Sequence, residues 1–117
     1  MKTILITFTI LFIGTFSYGQ NKNAKASIEV DGVCMMCKKR IEKASLKTKG
    51  VKSASWNVDT HELKLIFDEN KTSVEQIASN VTAVGHDTIS FIASKEAYES
   101  LNPCCKYRDE GVVEDHK

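Results

Sequence analysis

Two things are missing from this 117-residue chain: it has almost no net charge, and after its first nineteen residues no second long apolar run appears. With 16 basic and 15 acidic residues the formal charge is +1, and setting Lys2 aside leaves 15 of each sign from Gln20 onward. The net basic face that nucleic acid requires is absent, and no strong membrane-surface signal replaces it. Nor is there a serine–histidine–acid set, a paired-carboxylate motif or a phosphate-binding glycine loop. Hydrolytic and nucleotide chemistry therefore have no support, and the chain is not expected to be an enzyme. Oxygen donors for a hard, octahedral cation are also sparse.

The apolar run that does exist lies at the start. Lys2 supplies a charge, Thr3 to Phe16 a greasy stretch, and Ser17-Tyr18-Gly19 places small residues, Ser17 and Gly19, at the two positions a signal peptidase reads. Residues 1–19 are thus expected to be a signal peptide cleaved before Gln20, which would make the protein periplasmic or secreted. The stretch is too short to span a bilayer stably, and no cysteine sits at the cleavage point to carry a lipid. Ninety-eight residues then remain of the 117, enough for one domain with a modest core.

Four cysteines are present, in two close pairs: Cys34 with Cys37, and the adjacent Cys104 and Cys105. Neither pair would close a long loop, so neither would constrain the unfolded chain much as a disulfide. They read as working thiols. Cys34 and Cys37 fall at the first turn of a lysine-rich helix, where free backbone N–H groups and the positive end of the helix dipole favour anions. Lys38, Lys39 and Arg40 add positive charge, so both thiols are expected to be thiolate-rich. Two such sulfurs suit one soft, two-coordinate ion: Cu(I) is the favoured ion and Hg(II) shares its linear preference. Zn(II) would want four ligands, and so the second pair as well. Met36, between the first two cysteines, is a candidate weak thioether ligand, against the commoner role of filling a gap.

Hydrophobic periodicity orders the chain. A polar lead-in, residues 20–25, precedes a strand at Ser27–Asp31 that Gly32 breaks. Cys37, Ile41, Ala44 and Thr48 follow at helical spacing up to Gly50. Ser53 to Val58 and Leu63 to Phe67 alternate on either side of Asp59-Thr60-His61, a hairpin. Thr72-Ser73-Val74-Glu75 reads as a capping box for a second helix carrying Val74, Ile77, Ala78, Val81 and Val84. Thr88 to Ala93 is expected to be a fourth strand, with Ile89 and Phe91 on one face. The fold class is therefore α+β: a ferredoxin-like βαββαβ sandwich, a four-stranded antiparallel sheet with two helices on one face. A short helical extension, residues 94–108, carries the vicinal cysteines, and a polar tail, residues 109–117, is expected to be disordered.

Ser27-Ile28-Glu29-Val30, Gly32, Cys34-Met35-Met36-Cys37, Ile41-Glu42, Gly50-Val51 and Gly85-His86-Asp87 together resemble the heavy-metal-associated domain. That family comprises copper chaperones, the metal-binding repeats of copper-pumping ATPases and periplasmic mercury-binding proteins. The resemblance runs from about Ala26 to Ala93, residues 26–93, and implies metal ligation by Cys34 and Cys37. It makes His86 a further candidate, since relatives carry a tyrosine, lysine or histidine beside the metal there. The chain departs from the family's Gly-Met-x-Cys pattern, because Gly32 stands two before Cys34 and no methionine precedes it. In relatives that methionine packs under the loop.

Cys104 and Cys105 can reach this site. The fourth strand would end about 20 Å away, eight helical residues recover about 12 Å, and two or three extended ones about 8–10 Å. They are candidate additional ligands or exchange partners, the alternative being a separate pair, disulfide-linked to another molecule. The expected function is a secreted carrier or buffer of Cu(I), held between Cys34 and Cys37 and passed by ligand exchange to a metal-transporting membrane protein or another metal-binding protein. The alternatives are an Hg(II)-binding protein and a thiol–disulfide oxidoreductase using the same pair. Against the last, the aromatic-rich Cys-Gly-Pro-Cys setting of thioredoxin-like enzymes is absent.

Overall fold

The computed structural model describes residues 21–117, so the expected signal peptide and its cleavage point lie outside the described residues. Three strands, β1 (Ala24–Glu29), β2 (Val51–Trp56) and β3 (Glu62–Phe67), form an antiparallel sheet in the order β1-β3-β2. Helix α1 (Met35–Lys47) connects β1 to β2, and α2 (Val74–Ala83) follows β3. Beyond α2 come α3 (Lys95–Glu99), a single 3₁₀ turn at Pro103–Cys105, and α4 (Glu110–Asp115). No helix among the described residues is long and apolar enough to cross a membrane.

The alternation in β3 sends Leu63, Leu65 and Phe67 inward, where they meet Ile41 of α1, Ile77 and Val81 of α2, and Trp56. Both helices thus cover one face of the sheet by burying a stripe of aliphatic side chains, with Cys37 at the α1 end of that core. The first strand starts earlier than its sequence pattern implies. Ala24 pairs with Phe67 and is buried, so residues from Ala24 onward belong to the sheet rather than to a flexible lead-in.

The fourth strand does not form. Only Val30 and Thr88 make an isolated antiparallel bridge. The segment closes on itself instead: the Thr88 N–H donates to the Phe91 carbonyl (2.9 Å), the Phe91 N–H to Thr88 Oγ1 (3.1 Å) and the Ala93 N–H to Asp87 Oδ1 (2.7 Å). With those donors committed locally, no ladder against β1 is available. Ile89 and Ile92 accordingly point outward, 78% and 81% exposed, rather than into the core.

Two further details differ from the sequence reading. The N-cap of α2 is Ser73, whose hydroxyl accepts from the Gln76 N–H at 3.2 Å, one residue later than the expected capping box. The chain after Ala93 is also neither loose nor separate. Leu101 and Cys105 are buried in the same core as Ile41 and Trp56, and Val112 and Val113 pack against it. The expected disordered tail therefore contains a helix, α4, capped by Asp109, because its two valines have an apolar surface to cover.

Candidate metal centre

The loop from Val30 to Cys34 is shaped by one tryptophan. Trp56 is buried at the end of β2 and its indole N–H donates to the Val30 carbonyl at 2.9 Å. Its ring runs so close under the loop that a Cβ on Gly32 would lie 2.9 Å from it and 3.1 Å from Cys37 Cβ. Only glycine fits there. Val33 is buried, so Trp56 and Val33 fill the space beneath a loop that lacks the family's methionine. His61, a turn residue with φ of 63°, stacks on the other side of Trp56 at 5.6 Å.

Cys34 is the N-cap of α1. Its backbone is extended and its sulfur accepts the Cys37 N–H at 3.4 Å, a role usually taken by a small oxygen side chain. Helical geometry then brings Cys37 Sγ to 3.2 Å from Cys34 Sγ. No acidic residue occupies the first turn to compete for the free N–H groups.

The C-terminal segment brings the second pair to the same point. Cys105 Sγ lies 3.0 Å from Cys34 Sγ and its carbonyl 4.0 Å from Cys37 Sγ. Cys104 Sγ is 3.9 Å from Cys105 Sγ, and the sulfurs of Cys34, Cys104 and Cys105 all lie within 4.8 Å of one another. All four thiols are free. Cys37 and Cys105 are fully buried, whereas Cys34 and Cys104 are half-buried, so the cluster has a covered side and an open one. Met36 faces the open side, with Sδ 3.4 Å from Cys104 Sγ and 3.9 Å from the Asn102 amide nitrogen, rather than turning toward Cys37.

The thiols are not equivalent. Burial opposes ionisation of Cys34, but hydrogen bonds from the Cys105 and Cys37 thiols and from the Cys37 and Met36 N–H groups outweigh it and hold the thiol below its ordinary value. Burial pushes the Cys37 thiol up, and burial pushes Cys105 up strongly, reinforced by the neighbouring Cys34 and Cys37 sulfurs. The expectation of two thiolate-rich cysteines is thereby corrected to one, Cys34. Of the three cations expected to help, Lys38 is turned away, its Nζ donating to the Trp56 carbonyl (2.9 Å) and to the Glu42 carboxylate.

His86 is placed differently from the sulfurs. It is fully buried, with Nδ1 2.8 Å from the Asp31 carbonyl, and it stacks on Tyr107 at 5.4 Å. Burial lowers its pKa to about 4, so the ring is neutral, its proton on Nδ1. Nε2 is buried without a hydrogen-bond partner in the protein, and His86 is not among the donors grouped around Cys34.

The residues that hold the second pair in place carry no ligand atoms and were not assigned a role from sequence. Tyr107 O–H donates to the Gly85 carbonyl (2.6 Å) and accepts the Asp87 N–H (2.9 Å). Arg108 forks onto Asp87, Nη2 to Oδ1 at 2.7 Å and Nε to Oδ2 at 3.2 Å, and also donates to the Ala93 carbonyl at 3.1 Å. Its guanidinium lies over the Tyr98 ring at 4.3 Å, and Lys106 Nζ caps the Tyr98 carbonyl at 2.9 Å. Leu101 is buried against Gly85, whose φ of 110° leaves no room for a side chain. A signal for this existed in the run Cys104-Cys105-Lys106-Tyr107-Arg108, an aromatic and a cation directly after the thiols.

Residues 27–87, 61 of the 117, match the heavy-metal-associated domain family. The chain is 36% identical over 61 residues to a copper chaperone, CopZ, of Staphylococcus haemolyticus, a stretch covering 51% of this chain and 90% of that protein. It is 32% identical over 66 residues to a copper-exporting P-type ATPase of Staphylococcus saprophyticus, covering 56% of this chain but only 8% of the ATPase. Among solved structures, a CopZ metallochaperone superposes with a TM-score of 0.55 at 27% identity, covering 56% of this chain and all of that one. Oxidized MerP from Ralstonia metallidurans gives 0.54 at 25% identity, covering 56% and 93%.

Proposed function

The chain belongs to the heavy-metal-associated domain family, and on that premise we propose that it is a carrier of a soft metal ion, Cu(I), bound through Cys34 and Cys37. The observation that carries this reading is the Cys34–Cys37 pair itself: two free sulfurs 3.2 Å apart at the start of α1, one of them capping the helix and held in a thiolate-prone state. Thiolate sulfur selects soft cations, and the dipole end of α1 offsets the negative charge that two thiolates leave on a monovalent ion. The copper proteins among its relatives support the same ion.

The carrier works by ligand exchange. An incoming thiol loses its proton to water as it forms a metal–sulfur bond, Cys34 or Cys37 gives one up and takes a proton from water, and the ion keeps its oxidation state. Cys34, half-buried and thiolate-prone, is the sulfur an incoming partner reaches, while buried Cys37 holds the ion. The acceptor is a metal-transporting membrane protein or another thiol-bearing carrier. If residues 1–19 are an export signal, the exchange takes place outside the cytoplasm, and the mass of the mature protein, beginning at Gln20, reports it.

An anaerobic competition titration of the reduced protein against a Cu(I) chelator tests the reading. Tight binding of one ion, abolished in Cys34→Ser, is the expected result. Binding no tighter than that of a free dithiol would overturn it. The reduction potential of a Cys34–Cys37 disulfide would then become the relevant quantity, because a low-pKa N-terminal cysteine is also the nucleophile of a thiol–disulfide oxidoreductase.

A further inference from the structure

The segment from Asn102 to Arg108 does more than pack against the domain. We propose that it is a built-in ligand strap: Cys105 supplies a third thiolate to a soft ion held by Cys34 and Cys37, and Cys104 is the resident thiol through which the ion enters and leaves. The proposal rests on the carrier reading above and adds to it a coordination number and a route.

A metal–thiolate bond of about 2.3 Å places the sulfurs of a three-coordinate site about 4 Å apart. Cys34 is the shared corner, 3.2 Å from Cys37 and 3.0 Å from Cys105, so these two edges each need to lengthen by about 1 Å for an ion to enter between the sulfurs. A linear site on Cys34 and Cys37 alone needs those two sulfurs about 4.6 Å apart and leaves Cys105 unused at the centre of the site.

The strap is also over-determined. Cys105 lies 68 residues beyond Cys37, yet its sulfur is fully buried at this point. Pro103 fixes the 3₁₀ turn, the Cys105 N–H is taken by the Asn102 carbonyl at 2.8 Å, and Tyr107 and Arg108 pin the following residues to Gly85, Asp87 and Ala93. A buried thiol among other thiols gains nothing from apolar packing that a valine would not supply. What it adds is a donor sulfur, and the surrounding bonds hold that sulfur in place before an ion arrives.

The cluster is asymmetric. The strap covers Cys37 and Cys105 and leaves Cys34 and Cys104 half open, with Met36 Sδ beside Cys104. Transfer outward then proceeds in single exchanges. Cys104 forms a bond to the ion as Cys105 releases it and is reprotonated from water, and a partner thiolate next displaces Cys34 or Cys104. No electron is moved, and each protonated thiol that binds gives its proton to water.

Copper K-edge X-ray absorption on the full reduced protein with one equivalent of Cu(I) tests the strap. Three sulfur neighbours are expected in wild type and in Cys104→Ser, and two in Cys105→Ser. In chelator competition Cys105→Ser should bind at least tenfold more weakly, and Cys104→Ser should slow the release of copper to the chelator. Arg108→Ala removes no sulfur but unpins the strap, so it should lower the average coordination number. Two sulfur neighbours in wild type with an unchanged affinity in Cys105→Ser would overturn the strap while leaving the two-cysteine carrier standing. Failure of wild type to bind Cu(I) would overturn the carrier reading itself.

Discussion

The Arg108 guanidinium grips the Asp87 carboxylate through two hydrogen bonds, 2.7 and 3.2 Å, and so ties the last segment of the chain to the residue that follows His86. Burial opposes ionisation of Asp87, but the Arg108 fork and the Ala93 N–H keep its carboxyl below the usual range. A forked, partly shielded pair of this kind is worth more than a solvent-exposed one. Arg108→Ala is expected to lower the unfolding free energy in urea by about 1–3 kcal/mol. It should also speed alkylation of Cys105, which wild type hides completely. An unchanged labelling rate would show that the ion pair does not hold the strap.

The thiols should react in a fixed order. Cys34 is thiolate-prone and half-buried, while Cys37 and Cys105 are buried and held protonated. Brief treatment of the reduced apo protein with iodoacetamide at neutral pH, followed by peptide mass spectrometry, should place the first carbamidomethyl group on Cys34. Rates for Cys37 and Cys105 should trail by tenfold or more. Equal modification of all three would contradict the assigned protonation pattern.

His86 makes stability pH-dependent in a defined window. Its folded-state pKa is lowered to about 4 by burial, whereas a histidine in the unfolded chain titrates near 6.5. Between those values the unfolded state binds the extra proton. The contribution is therefore fully present above pH 6.5 and is lost as the pH falls toward 4. The shift corresponds to roughly 3 kcal/mol over that range. In His86→Asn, whose side-chain amide can still donate to the Asp31 carbonyl, this part of the pH dependence should vanish. Urea denaturation of both proteins at pH 7 and pH 4.5 reads it, and parallel losses would refute the assignment.

The loop under the first cysteine pair has no spare volume. A methyl group on Gly32 would meet the Trp56 ring at 2.9 Å and Cys37 Cβ at 3.1 Å. Gly32→Ala should cost about 1–3 kcal/mol of stability through overpacking. It should also shift the emission of Trp56, the single tryptophan of the sequence. A variant with unaltered emission and stability would mean that the ring can withdraw freely from the loop.

Just before the strap, Leu101 anchors it in the core. Leu101→Ala should destabilise the protein by about 2–5 kcal/mol in urea, as for other fully buried leucines. If the C-terminal segment were an independent tail, the same change would leave the unfolding midpoint where it is.

Local features were legible in the residues alone. Alternation in Leu63-Lys64-Leu65-Ile66-Phe67 decided a strand and its inward face, the spacing of Ile77 and Val81 decided a helix face, and Cys34 before a helix start decided that two thiols would meet, because three residues is less than one helical turn. The tertiary structure decided what depends on competition between partners. Thr88 to Ala93 has the composition of a strand, yet Asp87 and Thr88 captured its backbone donors, and Asp87 could do so because Arg108, twenty-one residues away, holds its carboxylate in place. Only tertiary contacts ranked the thiols, since identical side chains differ through burial and through which of them donates to which. Chain length allowed Cys105 to return to Cys34, but reach is a permission and not a position. The position came from Tyr107, Arg108 and Leu101 finding partners at Gly85, Asp87 and the core, contacts that exist only once the domain has folded.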